Sequence, residues 1–132
     1  MNHRPRIRDF MATQVVTLAP DLEILRAMEL LLQKKFSGAP VVDENGKLLG
    51  VLSKKDCLKA ALNASYHQQW GGVVADYMST SVESLDADLD LVAAAKRFLA
   101  SHCRRFPVME DGRMIGQISR VDLLRALAES WR

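Results

Sequence analysis

The sequence predicts an α/β fold made of two copies of one β-α-β-β-α unit, packed sheet to sheet around a pseudo-two-fold axis. Three observations lead there. The chain repeats itself: Asp9-Phe10-Met11 returns as Asp76-Tyr77-Met78, Leu18-Ala19-Pro20-Asp21-Leu22 as Leu85-Asp86-Ala87-Asp88-Leu89, and Pro40-Val41 as Pro107-Val108. The offset is 67 and shortens to 66 after Asn45. Asn45-Gly46 and Asp111-Gly112 stand at matching places, and such pairs accept the positive φ of tight hairpins. Apolar residues also recur at helical spacing twice in each copy.

Each copy opens with a short β-prone run, Val15 to Leu18 and Val82 to Leu85. Asp21 and Asp88 stand where a helix N-cap is expected. Behind them run the stripes Ile24, Leu25, Met28, Leu31, Leu32 and Leu91, Val92, Ala95, Phe98, Leu99. Two strands then flank each hairpin: Pro40 to Val42 with Leu48 to Leu52, and Pro107 to Met109 with Met114 to Ile118. A last helix follows Ser53 and Ser119, carrying Cys57, Leu58, Ala61, Leu62 and Leu123, Leu124, Leu127, Ala128. The first repeat is placed at 9–62, a linker ending in Gly71-Gly72 at 63–72 and the second repeat at 73–132. Copies of this size are marginal alone, which favours one shared module.

At 132 residues, 48% hydrophobic and 26% charged, the chain suits one compact domain and leaves no room for a multidomain enzyme. A net charge of +2 is too small for the footprint of a dedicated nucleic-acid binder. Neither a membrane-length apolar run nor a signal-peptide core is present, so no membrane association and a cytoplasmic location are expected. Cys57 and Cys103 lack ligand-like neighbours and read as core residues; His3, His67 and His102 are scattered, so no metal site and no catalytic triad are expected. The basic arm His3 to Arg8 is expected to be a flexible, solvated terminus, with nucleic acid or an acidic partner as alternatives. Tyr66 and Trp70 read as packing anchors and Trp131 as a lid or partner contact.

Function is sought in Gly50 to Asp56 and Gly116 to Asp122, two Gly-x-x-Ser-x-x-Asp segments. Ser53 or Ser119 caps a helix whose first-turn N–H groups offer a place for phosphate. Asp56 or Asp122 offers a carboxylate to the vicinal hydroxyls of a ribose. The competing reading is a capping box that needs no ligand. Ahead of the second proline, Arg104 and Arg105 can hold phosphate while Phe106 offers a face to a base. Alternatively, the arginines are solvated groups beyond a helix end. Lys54 and Arg120 either add charge there or stay in solvent.

Taken together, the opening Asp-Phe-Met and Asp-Tyr-Met, the paired Pro-Val strands, the hairpins and both Gly-x-x-Ser-x-x-Asp segments resemble a tandem pair of cystathionine β-synthase (CBS) domains, the regulatory unit called a Bateman module. The resemblance spans Asp9 to about Ala128. It implies no catalysis and no cofactor beyond an adenosine-containing regulatory ligand, of the AMP, ADP and ATP class, held in clefts between the repeats. It places Ser37, Gly38 and Ala39, and Arg104, Arg105 and Phe106, at those clefts. It sets Ser119 and Asp122 to face Val16, Thr17 and Ala19, and Ser53 and Asp56 to face Val82 to Asp86. It also implies a homodimer formed through exposed helix faces, with a protein target left unidentified. Gln117 stands where the family carries an apolar residue. Two alternatives remain open: a ligand-free interaction module, or a sensor of S-adenosylmethionine or nucleic acid.

Overall fold

A computed structural model describes residues 4–131. A 3-10 turn (Ile7–Asp9) is followed by α1 (Ile24–Lys34), β1 (Gly38–Val42), β2 (Leu48–Ser53), α2 (Lys54–His67) and α3 (Val74–Tyr77). Then come β3 (Leu85–Asp86), α4 (Leu91–Leu99), β4 (Arg105–Glu110), β5 (Arg113–Ser119) and α5 (Arg120–Ser130). The fold is mixed α/β with two repeats, as expected. The chain divides into two compact units: Val16–Val82, and the chain through Val15 joined with Glu83 onward. The opening segment of each repeat is therefore built into the unit that holds the other repeat's sheet.

In the Val16–Val82 unit, β1 pairs antiparallel with β2, Gly38 opposite Ser53 and Val41 opposite Gly50. Leu18 joins as a single parallel bridge to Val41, so the expected strand from Val15 contracts to one residue. Pro20 explains the contraction, because it has no N–H to extend the ladder. Its counterpart Ala87 donates to the Met109 carbonyl at 2.9 Å, and there β3 forms, pairing parallel with β4 before β4 pairs antiparallel with β5. The core of one unit gathers Leu18, Ile24, Leu31, Val41, Leu52 and Val74. The other gathers Ile7, Leu85, Leu91, Phe98, Phe106, Val108 and Ile118.

Val74 and Ile7 come from the opening segments, and the matched glycines make room for those segments. A Cβ on Gly50 would lie 2.5 Å from the Ser79 carbonyl oxygen and 2.9 Å from Met78 Sδ; one on Gly116 would lie 2.6 Å from the Ala12 oxygen and 2.7 Å from Met11 Sδ. Bare backbone is needed at both places, so the glycine of the repeated motif is accounted for by packing.

Three sequence expectations need correction. Asp21 and Asp88 do not cap helices: the N-cap of α4 is Asp90, whose side chain accepts from the Ala93 N–H at 2.8 Å, and the N-cap of α1 is Glu23, which makes no side-chain cap bond. Asp is a good capping residue and Glu is not among the preferred ones, so the repeats differ here. Tyr66 is 75% exposed and anchors nothing; α2 runs on to His67, and Tyr77 instead ties down this stretch, its hydroxyl donating to the Gly71 carbonyl at 3.3 Å and accepting from Asn63 Nδ2 at 3.1 Å. The basic arm is docked from Arg4 onward; His3 lies outside the described residues. Arg4 pairs with Asp90 at 3.7 Å, Arg6 donates to the Asp88 carbonyl, and Arg8 bridges Asp88, at 2.8 Å, and Glu110. Glu110 first, then Asp88, hold the Arg8 guanidinium above its already high ordinary pKa.

Candidate functional site

Both Ser-x-x-Asp segments form capping boxes. Ser53 and Ser119 share nearly the same backbone angles, φ −106, ψ 167 and φ −101, ψ 167. Asp56 Oδ2 accepts from Ser53 N at 2.8 Å and from Ser53 Oγ at 2.9 Å, while Asp56 N donates to Ser53 Oγ at 3.2 Å. In the other unit Asp122 Oδ2 accepts from Ser119 N at 3.0 Å and Asp122 N donates to Ser119 Oγ at 3.1 Å. Among the described residues the second oxygen, Oδ1, of each acid has no partner. Each carboxylate therefore caps its helix with one oxygen, and its other oxygen has acceptor capacity to spare. Asp56 is 8% exposed, whereas Asp122 is half-buried.

The helix starts themselves offer less to a phosphate than the sequence implies. Lys54 N donates to the Ser37 carbonyl at 2.9 Å and Arg120 N to the Arg104 carbonyl at 3.0 Å. With the third N–H taken by the serine hydroxyl, only the Lys55 and Val121 N–H groups of each first turn lack a protein partner among the described residues. Positive charge beside the caps comes instead from side chains.

Those side chains differ between units. The Gly38 to Ser53 and Arg105 to Ser119 pairings place Ser37-Gly38-Ala39 beside one cap and Arg104-Arg105-Phe106 beside the other. Arg104, Arg105 and Arg120 are exposed, and among the described residues none has a carboxylate partner. Phe106 needs correction: it is fully buried, its ring edge-on to Phe98 with centroids 4.7 Å apart and the Arg97 guanidinium 5.7 Å from its centre. Its ring fills the core and presents no face to a base. Ala39 is likewise buried. Val16, Thr17 and Ala19 belong to the same unit as Ser53 and Asp56; Thr17 and Ala19 line a cleft at the Val42 end of β1, away from the cap. The sequence reading missed the Arg8 bridge and the Asp90 cap. Asp90 was visible as the acid directly ahead of Leu91; nothing in the sequence linked Arg8 to acids eighty and more residues away.

Cys57 packs into the core next to Asp56, and burial, then the Asp56 charge, push its thiol pKa up. Among the described residues, no cluster of three or more His, Cys, Asp and Glu is placed to hold a metal ion, and no helix is long and apolar enough to cross a membrane.

Known proteins share this architecture. The CBS domain model matches twice, at residues 7–63 and 74–129. YhcV of Bacillus subtilis, a CBS domain-containing protein, is 30% identical over 118 residues, covering 89% of this chain and 81% of that one. CBSX2, a chloroplastic CBS domain-containing protein of Arabidopsis thaliana, is 29% identical over 148 residues. The chain spans 62% of CBSX2, and only 44% of MJ1225 of Methanocaldococcus jannaschii and 14% of an A-adding tRNA nucleotidyltransferase of Aquifex aeolicus, each 28% identical to it. A crystal structure of CBSX2 in complex with AMP matches with a TM-score of 0.80 at 33% identity, covering 96% of this chain and 98% of that one. The duplicated motif, the two sheets and the two family matches agree: the chain belongs to the CBS domain family and carries two copies of that domain.

Proposed function

We propose that this chain is a regulatory, ligand-sensing module that binds an adenosine-containing nucleotide, of the AMP, ADP and ATP class, and works by binding rather than by catalysis. The observation that carries the reading is the divided duty of Asp122. One oxygen closes the cap, the other has no partner among the described residues, and beside it stand three exposed arginines that lack a carboxylate partner among the described residues. AMP in complex with CBSX2 supports the ligand class. Ser119 and Asp122 would take the ribose, and Arg104, Arg105 and Arg120 the phosphates. Occupancy alters the chain's conformational balance only as far as the ligand prefers one arrangement. A protein target reading that balance would change nucleotide affinity by the same factor.

A second reading attaches to Asp56. Its neighbours Ser37, Gly38 and Ala39 are neutral, which suits an adenosine compound without phosphates, S-adenosylmethionine among them. Exposed Leu99, Leu124, Leu58 and Leu62 support a homodimer in which a second copy covers like with like; sedimentation as a monomer at micromolar concentration contradicts it.

Thermal shift against AMP, ADP, ATP, S-adenosylmethionine and NADH tests the ligand class. A ligand at about 100 times its Kd adds about 2.7 kcal/mol. Silence across the panel favours a ligand-free interaction module.

A further inference from the structure

Where the two units match residue for residue, one charge is missing. Arg8 donates its backbone N–H to the Ala87 carbonyl at 3.2 Å and lays its guanidinium across Asp88 and Glu110. In the other unit the corresponding backbone bond runs from Ala75 N to the Pro20 carbonyl at 2.9 Å. The flanking bonds correspond too: Ile7 N to Leu89 O at 3.0 Å, and Val74 N to Leu22 O at 2.8 Å. By the same register Asp21 stands for Asp88 and Asp43 for Glu110, but Ala75 stands for Arg8, and a methyl group reaches neither acid. Asp21 and Asp43, with Glu44, border an open cleft of about 600 Å³. Among the described residues none of the three has a cationic partner.

We propose that this cleft is a docking site for the guanidinium of an arginine carried by a partner protein. The companion unit supplies the precedent: the same two register positions there hold a guanidinium between them. A planar cation with five donors can serve two separate carboxylates at once. Asp43 commits Oδ1 to the Asn45 and Lys47 N–H groups at 2.9 Å each, which fixes the side chain and leaves Oδ2 for the incoming donor. The backbone slot is already taken by Ala75, so the arginine arrives from solvent. Free arginine would bring its own carboxylate against Asp43 and Glu44; an arginine within a peptide does not, which favours a protein source. The cleft sits at the Val42 end of β1, about 13 Å along the strand from the Gly38 end beside the Asp56 cap, so the two sites can be occupied separately.

The test is an NMR titration of the full chain with acetyl-Gly-Arg-Gly-amide, its citrulline and lysine counterparts, and free arginine. The arginine peptide is expected to shift the Asp21, Asp43 and Glu44 amides and to bind more tightly than the lysine peptide or free arginine, while the citrulline peptide leaves them unmoved. Ala75→Arg supplies the guanidinium from within and should abolish the response. Asp43→Asn keeps an acceptor for the turn and should weaken the peptide about ten-fold, a readout that stands even if Ala75→Arg fails to fold. Equal shifts with the citrulline peptide, tighter binding of free arginine, no response to any probe, or an unchanged response in Asp43→Asn overturns the proposal.

Discussion

The two caps are nearly superposable in their local chemistry and unlike in what surrounds them. Both serines hold the same backbone angles and both acids return one oxygen to the serine N–H. Yet the strand residues beside them are Ser37, Gly38 and Ala39 in one unit and Arg104, Arg105 and Phe106 in the other. Gly38 cannot be elaborated, since a Cβ there would lie 2.7 Å from the Leu52 carbonyl oxygen. Duplication preserved the frame, and the units then separated in charge. A second contrast runs the opposite way: the acids Asp88 and Glu110 are paired with Arg8, while Asp21 and Asp43 have no cationic partner among the described residues. One unit presents cations beside its cap; the other presents anions at the far end of its sheet.

The largest effect that sharpens this comparison is on stability. Phe106→Ala should cost about 3–5 kcal/mol by urea unfolding, because the ring is wholly buried against Phe98. If the ring instead served a ligand, stability would barely move. Asp122→Ala should weaken adenine-nucleotide binding by about 1.5–3 kcal/mol, with about 1 kcal/mol of stability lost as a cap. Calorimetric titration and unfolding of the same variant separate the two. Gly38→Ala should destabilise by about 1–3 kcal/mol, since the obstacle is backbone. Arg105→Ala, at the matching position, should leave stability nearly unchanged and cost AMP more affinity than adenosine.

The smallest effect concerns the thiols. Cys57, with its raised pKa, stays neutral to higher pH, so at pH 8 iodoacetamide should label half-exposed Cys103 first by mass spectrometry. The sign for stability follows: with its folded-state pKa raised, Cys57 contributes stability that is fully present below the ordinary thiol pKa and is lost as pH rises through the raised folded-state value. Faster labelling of Cys57 would mean its burial is looser than described.

Most of the fold was legible because it depends on local signals. Hairpin dipeptides, stripes and Ser-x-x-Asp boxes act within a few residues, and Asp111 and Gly112 do adopt positive φ, 51° and 78°. The exchange of opening segments was not legible, since Ile7 and Val74 are merely apolar until a sheet is there to receive them. Pro20 could have been read as ending the first strand. At the site, the cap acids were found by spacing, but the burial of Phe106 depends on Phe98 and the rest of its core, which gather only in three dimensions. The repeat register showed which residues correspond; it did not show that Arg8 fills a position Ala75 leaves open.

The most direct measurement is a calorimetric titration of AMP into the full chain and into Asp122→Asn, which removes the charge while keeping a side chain able to accept the cap hydrogen bond. Saturable binding by the parent and a loss of at least about ten-fold in the variant, with unfolding midpoints alike, is the predicted result. Equal affinity in both proteins would contradict the account, as would no heat from AMP, ADP, ATP or S-adenosylmethionine in the parent.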